Sequence, residues 1–274
     1  MTENASPFFI RPYRFDDPDH DDISFPRLDW HRRLLLDDGE RVLWTERVEV
    51  AGQFVVPGAG APTLAWALPG PARVTVTDRR LAYVCTDLRM GETRELRPGS
   101  RHGRRTALAG TGVATGQIRW QWPSALRILP GSGPAARAGV EPERLLLVCD
   151  AVRATGQPGL ALSGGSLGAA GAMRELATLV RRAVAEFRLA NPGTVELAPP
   201  EWDALLARAG TAPFADALAD SGRGVDLPGA LPVEFAHRDD YYRRPPAARQ
   251  PVRRPRRAAS PGAGWSERRP GSAS

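Results

Sequence analysis

Ala72-Arg-Val-Thr-Val-Thr-Asp-Arg-Arg-Leu-Ala-Tyr-Val-Cys-Thr86 sets β-branched and apolar residues in alternation on both sides of Thr77-Asp78-Arg79. That pattern reads as two strands around a tight turn. Upstream, Arg41-Val-Leu-Trp-Thr-Glu-Arg-Val-Glu-Val50 carries Val42, Trp44, Val48 and Val50 in near-alternation, a further strand. Residues 52–71, rich in Gly, Pro and Ala, read as a long loop, and residues 89–112 as a second, polar one. In Gly116-Gln-Ile-Arg-Trp-Gln-Trp122, period two puts Ile118, Trp120 and Trp122 on one face, read as core. Leu126–Leu129, Arg144–Cys149 and Gly159–Leu162 are short apolar strands.

A helix follows. From Ala169 to Ala190, Met173, Leu176, Val180, Val184 and Phe187 recur at spacings of three and four, with Arg174, Glu175, Arg181, Arg182 and Arg188 on other faces. Asn191-Pro192-Gly193 ends it. Two shorter helices are expected, one opening at Pro199-Pro200-Glu201 with Trp202, Leu205 and Leu206, the other at Pro213 with Phe214 and Leu218. The chain therefore divides into an acidic, aromatic-containing arm (1–27), a β domain with its helix (28–191), a helical extension (192–237) and a tail (238–274). The tail is Arg, Pro, Ala, Gly and Ser with little apolar material, and is expected to be disordered.

The 274 residues suit one domain with appendages. All 37 basic residues are arginine, which removes P-loop, Schiff-base and kinase-type lysine chemistry. Such a total absence of lysine reads as compositional bias, so a single arginine is a weak signal. Charge is uneven: Arg243–Ser274 holds nine arginines and one glutamate, +8 against a chain total of +6, which leaves residues 1–242 at −2. Residues 89–112 are locally +4, six arginines against Glu92 and Glu95. No apolar run approaches the roughly 20 residues of a membrane span, and Met1–Arg14 has no signal-peptide apolar region. Cys85 and Cys149 sit in apolar stretches and read as buried thiols in a reducing compartment.

Asp38-Gly-Glu-Arg-Val-Leu43, the Arg73–Tyr83 hairpin, Ile118-Arg-Trp120 and the closing helix together resemble bacterial PH-like domains of the GRAM type, over about residues 28–191. The resemblance implies a mainly β fold, a seven-stranded barrel-like sandwich with a C-terminal capping helix. It implies membrane or protein binding and no catalysis. Thr77, Asp78 and Arg79 would form the hairpin turn, Asp78 bonding its own backbone, while Leu81 and Tyr83 return to the core. Family members that grip phosphoinositides carry basic residues in the loop after the first strand; residues 52–71 have none.

Other motifs resolve to ordinary structure. Ser163–Gly171 lacks dinucleotide-fingerprint spacing and reads as a strand-to-helix link. Asp17-Pro-Asp19-His-Asp21 has Asp22 and Leu28 where a calcium loop needs glycine and glutamate. The four histidines and two cysteines show no metal-ligand spacing, and no cofactor is expected. Gly131–Val140 resembles a PDZ core phrase but is read as a loop of the β domain.

The expectation is a cytoplasmic, non-catalytic adaptor that engages a protein partner or the anionic inner face of the membrane. Candidate anion or lipid contacts are Arg101, Arg104 and Arg105 in the polar loop, with Arg243, Arg244, Arg253, Arg254, Arg256 and Arg257 in the tail. The alternatives are nonspecific nucleic-acid association through the tail and a PDZ-like peptide binder.

Overall fold

The computed structural model describes residues 8–12, 25–56, 62–86, 93–95, 104–106, 112–129, 143–149, 156–195, 197–209 and 224–231. Along the chain they form β1 (Arg11–Pro12), β2 (Val42–Val55), β3 (Thr63–Ala67), β4 (Ala72–Thr77), β5 (Arg80–Cys85), β6 (Thr93–Glu95), β7 (Arg104–Thr106), β8 (Ala114–Arg119), β9 (Pro123–Leu129), β10 (Arg144–Cys149) and β11 (Gln157–Ser163). A 3-10 turn (Gly165–Gly168), α1 (Ala172–Ala190), α2 (Pro199–Ala209) and β12 (Val225–Asp226) complete them. The Pro213 helix, the Gly131–Val140 phrase, the Asp17–Asp21 run and the tail lie outside the described residues.

The main sheet is antiparallel and runs β1-β8-β5-β4-β2-β11-β10-β9-β12, with β3 also on β2, while β6 and β7 pair with each other. Its path is open. A closed barrel would pair β8 with β9; instead the corner at Trp120–Trp122 joins them, and each pairs elsewhere. The mainly β expectation therefore holds, with an open edge at β1 and another at β12.

The long strand β2 is what folds this path on itself. Its first half, Val42–Val48, pairs with β4. From Glu49 onward it pairs with β11 on one side, and from Ala51 with β3 on the other. The register shifts between Gly52 and Gln53. Gly52 is required there, because a Cβ would fall 2.1 Å from the Trp66 indole nitrogen. The main core results, with Val48, Val74, Val76, Leu81 and Tyr83 from one half of the sheet against Leu126, Leu145, Leu147, Leu160 and Leu162 from the other. Met173, Leu176, Ala177, Val180 and Val184 of α1 close it. Each such large side chain contributes roughly 1.5–3 kcal/mol by leaving water.

Several expectations need correction. The supposed loop at 52–71 contains the end of β2 and all of β3, whose Trp66 is buried. The polar loop at 89–112 contains the β6–β7 hairpin. Trp120 and Trp122 are buried as expected, but they stand in the corner after β8 has ended at Arg119. Val42 is 47% exposed, so the buried alternation of β2 starts later than its sequence pattern.

The arm also reaches the core. Phe8, Phe9 and Ile10 are buried, and β1 adds to the β8 edge through Arg11↔Thr115 and Pro12↔Ala114. On α1, Arg188 is buried instead of facing water. Its guanidinium donates to the carbonyls of Trp120, Pro123, Leu227 and Pro228, tying the helix to the β8–β9 corner and to the chain after β12.

Candidate anion-binding groove

The hairpin that suggested the fold is held by a buried ion pair that its sequence alone does not announce. Arg80 donates through Nε to Glu40 Oε1 at 2.8 Å and through Nη2 to Glu40 Oε2 at 2.7 Å. Its Nη1 donates to Gln117 Oε1. Thr77 Oγ1 donates to Glu40 and accepts the Arg79 and Arg80 amides, which closes the turn. Burial acts to raise the Glu40 pKa. The hydrogen bonds from Arg80, the Asp37 amide and Thr77, with the Arg80 charge, outweigh it and hold the carboxyl below its ordinary value.

Asp78 does not bond its own backbone as expected. It accepts the Arg41 amide at 3.0 Å and Arg41 Nε at 3.1 Å, which outweigh burial and lower its pKa. Leu81 and Tyr83 do enter the core.

Ahead of Glu40 the chain makes a small hairpin from Leu28 to Leu34, which bridge one another. Its tip is tied by Arg33 N to Asp29 Oδ1 at 2.7 Å and Arg32 N to Asp29 O at 2.9 Å, with Arg32 left-handed at φ 62°. Leu28 anchors it against Val84 and Val113 on the outer face of the sheet. Trp30 projects from the tip, 80% exposed. Leu35 and Leu36, just beyond the hairpin, are exposed too.

Beside this hairpin lies a cavity of about 210 Å³ lined by His31, Arg32, Arg33, Arg47, Arg73 and Thr75, among others, and by no carboxylate among the described residues. Arg47 and Arg73 stand directly opposite each other on β2 and β4. Like charges in that position are unfavourable. Arg47 reaches only the Pro71 carbonyl, at 3.5 Å. Among the described residues none of the four arginines has an ion pair. Four guanidinium groups around one small opening offer planar, multidentate donors suited to a phosphate or carboxylate.

No family model, curated protein or solved structure matches this chain.

Two other cavities carry acids beside their arginines. One of about 530 Å³ is bordered by Arg41, Arg79, Arg80 and Arg119 but also by Asp37, Asp78 and Glu186, with Arg41 and Asp78 paired. In one of about 420 Å³, Glu201 already accepts the Ala198 and Gly229 amides. No group of metal-ligating side chains occurs among the described residues, and none of their helices is long and apolar enough to cross a membrane.

Of the arginines singled out from sequence, only Arg104 and Arg105 are described. Arg104 and Arg105 fall on β7, opposite Glu95 and Arg94 of β6. Arg101, Arg243, Arg244, Arg253, Arg254, Arg256 and Arg257 lie outside the described residues. The groove was missed because its members are scattered between residues 31 and 86, each an unremarkable arginine in a lysine-free chain. The one available signal was Arg32-Arg33 directly after an aromatic pair, Trp30-His31.

Proposed function

We propose that the chain is a non-catalytic, PH-like binding module that attaches peripherally to an anionic membrane surface. The PH-like reading is supported by the bent β2, the 77–80 hairpin locked by Glu40, and α1 closing the core. The membrane reading is carried by one observation: a cavity lined by Arg32, Arg33, Arg47 and Arg73, with no carboxylate among its described lining residues, lies beside the exposed Trp30. An indole at the headgroup level presents an apolar body and a polar edge, and neighbouring cations add about 1 kcal/mol each near an anionic surface. Arg101, Arg104 and Arg105 and the tail arginines would add nonspecific attraction.

Co-sedimentation of the full chain with anionic and neutral phospholipid vesicles tests this. Binding to anionic vesicles alone is expected, weakened about tenfold or more by Arg47→Glu with Arg73→Glu, and weakened again by Trp30→Ala. A chain ending at Tyr242 that keeps most of the binding assigns the contact to the body. Loss of binding on that truncation, with both groove variants unaffected, assigns it to the tail and refutes the groove. Duplex DNA that displaces the vesicles at equal phosphate concentration would instead favour the nucleic-acid alternative.

A further inference from the structure

Residues 8–12 are held in the manner of a bound peptide. Phe8 is 2% exposed, and Phe9 and Ile10 are wholly buried. The main chain of the segment is gripped by side chains of the body: Trp66 Nε1 donates to the Phe8 carbonyl at 2.9 Å and the Tyr83 hydroxyl to the Phe9 carbonyl. Its last two residues, Arg11 and Pro12, add a strand to the β8 edge. The Phe8 ring packs edge-on against Phe54, centroids 4.6 Å apart. β8 makes room at Gly116, where a Cβ would lie 1.9 Å from the Phe9 carbonyl oxygen. Main-chain bonds at a sheet edge joined to pockets for side chains are how folded domains take up extended peptides.

Phe9 sits at φ 57°, a left-handed conformation that an aromatic residue adopts only when its surroundings impose it. The conformation is thus a property of the docked state. Twelve residues, five of them aspartate, separate Pro12 from Phe25. A chain of that length spans at most about 40 Å, enough to reach a neighbouring molecule. Every contact named above would be reproduced if the arm came from another copy.

We propose that the cleft formed by Trp66, Tyr83, Phe54 and the β8 edge at Gly116 accepts the Phe8–Pro12 arm of a second copy of this chain, giving an arm-exchanged dimer. The balance between own arm and partner's arm is set by tethering, worth an effective concentration of the order of millimolar for a short link. None of the groove residues takes part, so this inference and the membrane reading stand or fall separately.

Sedimentation velocity of the full chain tests it directly. The dimer fraction should rise at least fivefold between about 50 µM and about 1 mM, the range set by the tether. Phe8→Asp with Phe9→Asp leaves a cleft without an arm, and Gly116→Val leaves an arm without a cleft. Each variant alone should be monomeric, and their mixture should dimerise. Should either variant fail to fold, a half-labelled wild-type sample answers the same question: an isotope-filtered NOE is expected between Phe9 of one chain and Tyr83 of the other. A wild-type chain that stays monomeric near 1 mM overturns the proposal. So does a dimer that persists in Gly116→Val alone, or one that lacks the interchain NOE.

Discussion

Glu40 and Arg80 show how much can hang on two side chains. Removing one partner of a buried ion pair leaves the other charge unpaired in a poorly solvated place, so Glu40→Ala should cost about 3–5 kcal/mol in urea unfolding. Replacing both by apolar residues of similar volume should cost less than the Glu40 truncation alone. The sign with pH follows from the lowered Glu40 pKa. Its stabilisation is complete above the unfolded carboxyl value, about 4.3, and is lost as pH falls through the lower folded value. Thermal midpoints should therefore drop below about pH 4.3, and Glu40→Gln should flatten that drop while lowering the plateau. Arg188 is the second such residue. Arg188→Ala withdraws the donors of four carbonyls and should cost about 3 kcal/mol or more. Arg188→Lys should recover only part, because an ammonium cannot reproduce the planar fork.

At the scale of elements, legibility followed amphipathic pattern and length. β4, β5 and β10 agree closely with their sequence patterns, and α1 fulfils its three-and-four spacing, because each buries a face rich in large or β-branched residues. β3 is five residues with two alanines, between Gly- and Pro-rich stretches, and β2 imposes it as a strand. Trp66→Ala should test that dependence: a loss of about 3–5 kcal/mol is expected for so buried an indole, with far-UV β signal reduced at the unfolding midpoint only. β1 and β12 are two residues each and owe their existence to the edges they cover, which no local pattern records. The polar β6–β7 hairpin carries no apolar alternation at all. The groove was illegible for a different reason. Its arginines come together through the β2–β4 register and the placement of the Leu28–Leu34 hairpin, both long-range events.

For the whole molecule, the predicted membrane contact is electrostatic and should behave so. Vesicle binding should fall by an order of magnitude or more between about 0.1 M and 1 M salt, as screening shortens from about 10 Å to about 3 Å. A Trp30-dominated contact would resist that change. The first outcome is expected because the charged side chains among the groove's described lining residues are all arginine, even though residues 1–242 sum to −2. In the proposed contact the groove would act locally, and the +8 of Arg243–Ser274 would add long-range attraction.

The fold also carries its own reporters. Cys85 lies on β5 and Cys149 on β10, one in each half of the sheet, both buried and neither in a disulfide. A thiol reagent can reach them only when the surrounding half opens. Because β2 runs without a break through both halves, the two sulfurs should become reactive together, in a single kinetic phase whose rate follows global unfolding. Two separated phases would mean that the halves come apart one at a time, with β2 as the hinge between them.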